Sequence, residues 1–254
     1  MTLKLTSSMD WIKIFYSNTG KWWGPAEVKI TDRDYKRLET VKRLYGSLPK
    51  TTLELGSSYG NTASVFADAG IDVTAIEISD RADFAKKYAG KKHKGKLVFI
   101  KDDFYKINLS QKYDVVCYWN GFGIGTDEDQ KKLLIKIAQE WLKPKGTLIM
   151  DVQNPYIWKK WNGDKEHKKA KPDEGYNYDI WQEIKYDRNE KRMYDTWWES
   201  DKPKIKYTQT IRCYTSKEIS SLVNGTGLKI IYKEVKGKLI DWKSHEYLVQ
   251  LTLE

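Results

Sequence analysis

The sequence has few of the residues that build metal sites and disulfide frameworks. Cys117 and Cys213 are the only cysteines among 254 residues, and both lie in strand-like runs. Two isolated cysteines predict neither a metal cluster nor a disulfide framework. The three histidines, His93, His167 and His245, show no ligand spacing, so we expect no metal site. His93 and His167 lie in lysine-rich stretches, where we expect solvated loop residues.

Long apolar runs are also missing. No stretch approaches the ~18 apolar residues that a membrane span needs. The first residues, MTLKLTSSMDWIKIFYS, lack the apolar segment of a secretory signal. Because cysteine is scarce as well, the simplest expectation is a cytoplasmic protein without membrane contact.

Charge is abundant and mainly basic. The chain has 45 lysines and arginines against 35 acidic residues, a formal net charge of +10. Lysine is spread along the chain and interrupted by acids, which favours a solvated surface. The densest basic segment, KKYAGKKHKGK, is expected to form a loop. A nucleic-acid partner stays open as an alternative, because clustered positive charge attracts phosphates.

Residues 31–152 alternate predicted helices with predicted strands. The runs TTLEL, IDVTAIEIS, KLVFI, KYDVVCYW and PKGTLIMDV predict five strands with helical segments between them. Such alternation is typical of an α/β fold with right-handed crossovers, a mostly parallel sheet and helices on both faces. An apolar content of 40% suffices for one core, so we expect a single domain over residues 1–254.

The pattern changes after the fifth predicted strand. DIWQEIKY, KRMYDTWW and KIKYTQTIRCY predict an antiparallel insertion, and TSKE predicts a capping box for a late helix. Two further strands then complete the sheet. We therefore divide the domain into an N-terminal lid (1–48), a cofactor-binding core (49–152), a substrate cap (153–207) and a C-terminal helix with hairpin (208–254).

The turn after the first predicted strand, LELGSSYGN, indicates which kind of cofactor the protein binds, a dinucleotide or another nucleoside-containing molecule. A dinucleotide turn requires G-x-G-x-x-G, but after Gly56 the required positions are Ser58 and Asn61. Counted as acid-x-Gly-x-Gly-x-Gly, the positions are Glu54, Gly56, Ser58 and Gly60, with one departure. In this frame the sequence resembles the class I methyltransferases that depend on S-adenosylmethionine (SAM). The resemblance implies their Rossmann-like fold of seven strands, the last one antiparallel.

The resemblance also implies roles for individual side chains. Ser58 stands where the family has its middle glycine; a serine fits there if its backbone angles are ordinary, so this departure weakens the motif without removing it. Glu54 supplies negative charge near the methionine amine, and N–H groups after Gly60 can meet the methionine carboxylate. Glu77 ends the second strand, where it can accept hydrogen bonds from both ribose hydroxyls.

Further along the core, the resemblance places residues around the adenine and the methionine. Asp103, with Asp102 as the near alternative, and Phe104 are expected to flank the adenine. Tyr118 and Trp119 are expected to border the methionine. The complete set of expected cofactor-binding residues is Glu54, Gly56, Ser57, Ser58, Gly60, Asn61, Thr62, Glu77, Ile78, Asp103, Phe104, Tyr118 and Trp119.

Two other motifs resemble functional signatures but are weaker evidence for a binding site. GFGIG, at 121–125, has enough glycine for a second phosphate-binding loop. No acidic residue follows it in the place of one that binds a cofactor, so we expect a flexible loop at the rim of the active site. NPY, at 154–156, resembles the NPP[YFW] signature of amino-methyltransferases acting on nucleic acid bases. It follows the fifth strand instead of the fourth, so we expect an ordinary turn.

The expected reaction transfers a methyl group to a small-molecule acceptor. Positioning can supply much of the rate, and no strong base is visible, which slightly favours N- over O-methylation. A nucleic-acid methyltransferase and a non-catalytic SAM-binding protein remain alternatives, and the protein is expected as a monomer or homodimer. From their positions, the catalytic candidates are Tyr16, Asn120, Tyr156 and His245, with Gln153 and Asn154 also within reach.

The aromatic segments are expected to enclose the site. FYSNTGKWWG, at 15–24, either folds over the cofactor or packs its tryptophans against the sheet edge; both alternatives stay open. The insertion is expected to cover the acceptor, with its tryptophans as an apolar wall.

Overall fold

The structure is a computed structural model that describes residues 9–24, 29–236, 239–240 and 244–254. Parts of the expected lid (1–8 and 25–28) and of the expected C-terminal hairpin (237–238 and 241–243) lie outside the described residues. The helices are α1 (Asp10–Thr19), α2 (Asp32–Tyr45), α3 (Asn61–Asp68), α4 (Arg81–Ala89), α5 (Asp127–Lys136), α6 (Pro155–Lys160) and α7 (Ser216–Val223). Shorter turns are 3₁₀ at Gly20–Trp22 and Pro172–Glu174 and π-helical at Ile137–Trp141.

The strands fall into three sheets. They are β1 (Thr51–Leu55), β2 (Asp72–Ile76), β3 (Leu97–Ile100), β4 (Tyr113–Phe122), β5 (Leu142–Gln153), β6 (Lys165–Lys168), β7 (Ile180–Asp187), β8 (Arg192–Glu199), β9 (Tyr207–Arg212), β10 (Leu228–Lys233), β11 (Val235–Lys236), β12 (Leu239–Ile240) and β13 (Glu246–Leu253). Within the described ranges, every helix is too short or too polar to cross a bilayer.

The central sheet has seven strands in the order β10-β13-β5-β4-β1-β2-β3. β1 to β5 pair in parallel, and β13 lies antiparallel between β5 and β10. The prediction of a Rossmann-like fold with a mostly parallel seven-stranded sheet is therefore confirmed. All five core strands predicted from the sequence are present.

Strand β4 shows how the sheet separates two cores. Val116 and Tyr118 point into a cluster with side chains of α5 and α7. Cys117 and Trp119 point to the opposite face, into a cluster with side chains of α2 and α3. This alternation is the period of two that a strand buried on both faces requires.

An antiparallel sheet of β6, β7, β8 and β9, here called the cap sheet, confirms the predicted insertion after the fifth strand. Helix α1 contacts β9. Trp23 stacks on Trp197 of β8, with 5.2 Å between the ring centroids. The Trp22 indole nitrogen donates to a carboxylate oxygen of Glu199 at 2.9 Å. The N-terminal segment is thus packed against the cap sheet.

Three local expectations were wrong. His167 is exposed but does not lie in a loop: it belongs to β6, and its ring stacks on Trp181 with 4.5 Å between the centroids. The NPY segment starts helix α6: Asn154 accepts from the backbone N–H of Tyr156 at 3.1 Å, and Pro155 is the first helical residue. Proline suits this position because the first helical N–H has no intrahelical partner. His93 is not a solvated loop residue, since its side chain is only 4% exposed and its Nδ1 lies 2.6 Å from Asp68 Oδ1.

Glu218 joins the cap sheet to the central domain. In the capping box of α7, its carboxylate accepts from the Thr215 backbone N–H at 2.9 Å. It also pairs with Lys191 in the β7–β8 turn at 2.6 Å and with Arg212 at the end of β9 at 2.9 Å. Burial alone would raise the pKa of Glu218, but the hydrogen bonds from these three residues outweigh it and lower the pKa to about 2.

Replacement Glu218→Gln should destabilise the protein by about 2 kcal/mol at pH 7, because three contacts to a half-buried charge are weakened. The folded-state pKa is lowered, so the contribution is present above the unfolded pKa and is lost as the pH falls towards the folded value. The difference in unfolding free energy between native and variant protein should therefore shrink below about pH 4.5, measured by urea denaturation. Glu128→Gln, which removes an exposed ion pair with Lys132, should cost less than about 0.5 kcal/mol. A pH-independent difference would contradict the assignment.

Candidate active site

A cavity of about 540 Å³ lies between the carboxyl ends of the central strands and the cap sheet. It is the place where a parallel sheet of this kind binds ligands. Ten of the thirteen predicted cofactor residues line it: Glu54, Gly56, Ser57, Ser58, Glu77, Ile78, Asp103, Phe104, Tyr118 and Trp119. Trp22 and Trp23 line it as well, so the N-terminal segment forms a wall while packing on the cap sheet.

The glycine turn is fastened to the end of β2. The backbone N–H groups of Gly56 and Ser57 both donate to the carbonyl oxygen of Ile76, each at 2.9 Å. Gly56 has a φ of +70° and Gly60 a φ of +78°, a region that glycine enters without steric cost. A Cβ at Gly60 would lie 2.6 Å from the Phe99 ring, so this position also requires glycine for space.

Ser58 does not have ordinary backbone angles. Its φ is +51°, the left-handed region where side chains other than glycine are uncommon. The Ser58 hydroxyl accepts from Arg81 Nη1 at 3.3 Å. The condition of ordinary backbone angles is thus not met, and Ser58 adopts the conformation that favours glycine.

Glu77 is held rigidly at the end of β2. One carboxylate oxygen accepts from the Ser58 backbone N–H and the other from the Ser79 backbone N–H, each at 2.8 Å. The residue is 6% exposed and lines the cavity. Because a carboxylate can accept about four hydrogen bonds, two remain available towards the cavity for a diol such as a ribose.

Glu54 and Ser57 carry polar atoms without partners. Glu54 Oε2 and Ser57 Oγ are buried and have no hydrogen-bond partner within the described residues. Burial raises the pKa of Glu54 to about 8, and the charge of Arg37 opposes this only in part. An ammonium group beside Glu54 would satisfy the acid, so the residues present fit the methionine end of SAM.

Three predicted cofactor residues do not line the cavity: Gly60, Asn61 and Thr62. Asn61 donates to the Lys29 carbonyl at 2.9 Å and accepts from the Tyr88 hydroxyl at 2.7 Å. The Thr62 hydroxyl donates to Asp34 Oδ1 of α2 at 2.7 Å. These hydrogen bonds connect the start of α3 to Lys29, α2 and α4. The role of the three residues in binding the cofactor stays a prediction.

The expected adenine side contains Asp103 and Phe104 in the cavity wall, whereas Asp102 is exposed and does not line it. Asp103 accepts from the backbone N–H of Tyr105 at 3.0 Å. Its position in the cavity wall favours Asp103 over Asp102 as the acid beside the adenine. At the rim, Gly121 lines the cavity, and the GFGIG loop is fastened to β9.

The catalytic candidates separate into two groups. Tyr16, Asn120 and His245 line the cavity, as does Gln153. Tyr156 is 52% exposed and, like the buried Asn154, is not among the cavity-lining residues. The structure therefore does not bring Tyr156 to the others.

Asn120 is the candidate with the most constrained environment. Its φ is +57°, and its backbone N–H donates to Asp151 Oδ1 at 2.6 Å. The side-chain amide lies between Glu246 and Arg37; oriented to satisfy both, it donates to Glu246 Oε2 and accepts from Arg37 Nη2, each at 2.8 Å. The guanidinium of Arg37 also lies over the Trp119 ring at 5.1 Å.

Arg37, Arg81 and Asp195 were missed at the sequence level. Arg81 Nε donates to the Tyr16 carbonyl at 3.0 Å, and its guanidinium lies over the rings of Tyr16 and Trp23. It thereby ties the N-terminal segment to the glycine turn. The alternation of side chains along the predicted strand KRMYDTWW could have placed Asp195 on the same face as Met193 and Trp197. No local sequence pattern identifies Arg37 or Arg81 as a cavity residue.

Several solved structures have this fold. The CcbJ methyltransferase from Streptomyces caelestis is 18% identical with a TM-score of 0.74, covering 94% of this chain and 98% of its own. CalS10, an amino pentose methyltransferase from Micromonospora echinaspora, is 15% identical with a TM-score of 0.64, covering 94% and 96%. The sugar N-methyltransferase KedS8 from Streptoalloteichus is 13% identical with a TM-score of 0.63, covering 96% and 93%. At these identities the likeness establishes the fold.

A family profile described as "Methyltransferase domain" matches residues 30–233, and the chain belongs to this methyltransferase family. The predicted class is confirmed: the protein is a SAM-dependent methyltransferase with the class I fold. No curated protein matches the sequence.

Replacement Glu77→Gln should weaken SAM binding by about 10- to 100-fold, because the amide nitrogen would face a backbone N–H and one acceptor towards the cavity is lost. Isothermal titration calorimetry checks this. Glu140→Gln, the same change at an exposed residue outside the cavity lining, should bind like the native protein. Equal affinity of the Glu77 variant would exclude the residue from the cofactor site.

Proton release should accompany SAM binding. With a pKa of about 8, Glu54 carries its proton at neutral pH in the free protein, and an arriving ammonium favours the carboxylate. Affinity should therefore rise, by up to tenfold per pH unit, from about pH 6.5 to about pH 7.7, and fall at higher pH, where the α-amino group of SAM loses its own proton. Calorimetry at about pH 6.5 in buffers of different ionisation enthalpy measures the released proton. Glu54→Gln should abolish the release; a native titration without buffer dependence would refute the linkage.

Proposed function

We propose that the protein transfers the methyl group of SAM to an amine nitrogen of a small-molecule acceptor. The observation that carries the proposal is the covered cavity itself, where the predicted SAM residues of the central sheet face the inner side of the cap sheet. A covered, mostly apolar cavity with a few polar groups is typical of small-ligand sites.

SAM, when bound, supplies an electrophilic methyl group, so the protein has mainly to hold and orient the acceptor. Glu54 and Glu77 are the residues that would hold its ammonium and ribose ends. On the acceptor side, residues of the cap sheet, α1 and the tryptophan walls line the cavity. Positioning of this kind can supply roughly 7–11 kcal/mol of the barrier in favourable cases.

Two of the catalytic candidates in the cavity, Tyr16 and Asn120, are poor general bases for a hydroxyl acceptor. Burial raises the pKa of Tyr16, and the charge of Arg81 opposes this only in part, so the phenol keeps its proton at neutral pH. The Asn120 side chain is a neutral amide and takes up no proton at neutral pH. An amine nucleophile, which needs only to lose its own proton, suits this environment better than a hydroxyl.

The named activities of two structural neighbours support the same choice. CalS10 is described as an amino pentose methyltransferase and KedS8 as a sugar N-methyltransferase. These descriptions belong to those proteins, and they make nitrogen acceptors the first class to test on this one.

The proposal is tested by transfer from radiolabelled SAM to three sets of compounds: small amines, their hydroxyl counterparts, and an RNA oligonucleotide. We expect labelled product from amines and none from the hydroxyl set. Glu77→Gln should lose labelling in parallel with SAM affinity, while Glu140→Gln should retain it. Labelling of the RNA or of the alcohols alone would contradict the proposal and identify the other acceptor class.

A further inference from the structure

The inner face of the cap sheet has one acid at its centre. Alternate residues of β7, β8 and β9 point into the cavity, as the period of a strand requires. The lining residues from these strands are Ile180, Gln182, Met193, Asp195, Trp197, Gln209 and Ile211. Asp195 is the middle residue of the three from β8, with Met193 and Trp197 on either side of it.

Two glutamine side chains hold the Asp195 carboxylate in place. Gln182 Nε2 donates to Asp195 Oδ1 at 2.8 Å, and Gln209 Nε2 donates to Asp195 Oδ2 at 2.9 Å. Gln209 Oε1 in turn accepts from the Tyr16 hydroxyl at 3.2 Å. The carboxylate is thus oriented from both sides by neutral groups and keeps acceptor capacity on each oxygen.

Asp195 has no ion-pair partner within the described residues. It is 3% exposed, and a buried carboxylate without a counter-charge is costly. Lys168 also lines the cavity, but its ammonium lies over the Trp197 ring at 4.4 Å and pairs with Glu166 at 3.7 Å. Burial raises the pKa of Asp195, and hydrogen bonds from neighbouring side chains, among them Gln209 and Gln182, together with the positive charge of Lys168 oppose the shift.

We infer that Asp195 is the acceptor-binding residue that selects a protonated amine, held between the Asp195 carboxylate and the apolar side chains around it. The inference rests on the proposed function, since it names the charge of the acceptor that this same cavity takes. A compact organic cation would form the direct ion pair that Asp195 lacks among the described residues and bury its apolar body against Trp158, Met193 and Ile211, which also line the cavity. The preferred acceptors are therefore amines that arrive charged, as distinct from neutral alcohols of the same shape. Before the nitrogen can attack the methyl group, the ammonium gives up one proton, and the Asp195 carboxylate beside it is the group that takes this proton.

The test compares matched pairs in which an ammonium and a hydroxyl occupy the same position: benzylamine with benzyl alcohol, cyclohexylamine with cyclohexanol, and glucosamine with glucose. Binding to the full protein is measured by ligand-observed NMR and calorimetry, with and without S-adenosylhomocysteine. We expect the ammonium member to bind about tenfold or more tighter in at least one pair, and this preference to vanish in Asp195→Asn. Glu183→Gln removes a charge from the same sheet outside the cavity lining and should leave the preference unchanged.

Two results would overturn the inference: equal binding of both members in every pair, including no binding of either, or a preference that persists in Asp195→Asn. If that variant does not unfold cooperatively, Asp195→Ser replaces it. SAM affinity, measured separately on every variant, keeps the two proposals distinguishable. If the protein binds SAM and transfers methyl groups but shows no preference for the ammonium ligands, only this inference is wrong. If no methyl transfer is found, the proposed function is wrong.

Discussion

The active site depends on one set of hydrogen bonds, those that attach the glycine turn to the end of β2. The Ile76 carbonyl accepts from two successive N–H groups of the turn, and the Glu77 carboxylate accepts from a third, that of Ser58. These bonds fix the distance between the acid at the start of the turn, Glu54, and the acid at the end of the next strand. Because both strands are central in a parallel sheet buried on both faces, neither can shift without breaking its register.

The cap sheet serves a different purpose from the central sheet. The central sheet presents backbone N–H groups and acids at its carboxyl edge, whereas the cap sheet presents side chains on a pleated face. Its outer face carries Trp181 and Trp198, with Lys165 over both rings, so these two tryptophans cover the sheet and do not line the acceptor space. The cofactor half is thus set mainly by main-chain geometry, and the acceptor half by the choice of side chains.

The sequence was sufficient for most of the fold, and ten of the thirteen cofactor residues that it predicts line the cavity. Strand periodicity identified β1 to β5, and the acid-glycine spacing located Glu54 and Glu77, since both signals are local. The left-handed conformation of Ser58 could not be predicted, because tertiary contacts impose it against the preference of the residue. Arg37 and Arg81 reach the cavity from helices distant in sequence, and the Asp195 network joins three strands with α1. Such contacts depend on how elements pack, which single-sequence patterns do not encode.

The place of β13 has a consequence for how the protein is made. This strand, residues 246–253, lies between β5 and β10 inside the central sheet. While the ribosome is still adding the preceding residues, one side of β5 presents unpaired N–H and C=O groups, a surface that invites pairing with other chains. The nascent polypeptide can therefore assemble β1 to β5 early, but it closes the sheet only after the last strand has left the exit tunnel. Until β13 pairs with it, this edge of β5 is open to non-native strand pairing, which makes the interval before closure the one in which the chain is most prone to association.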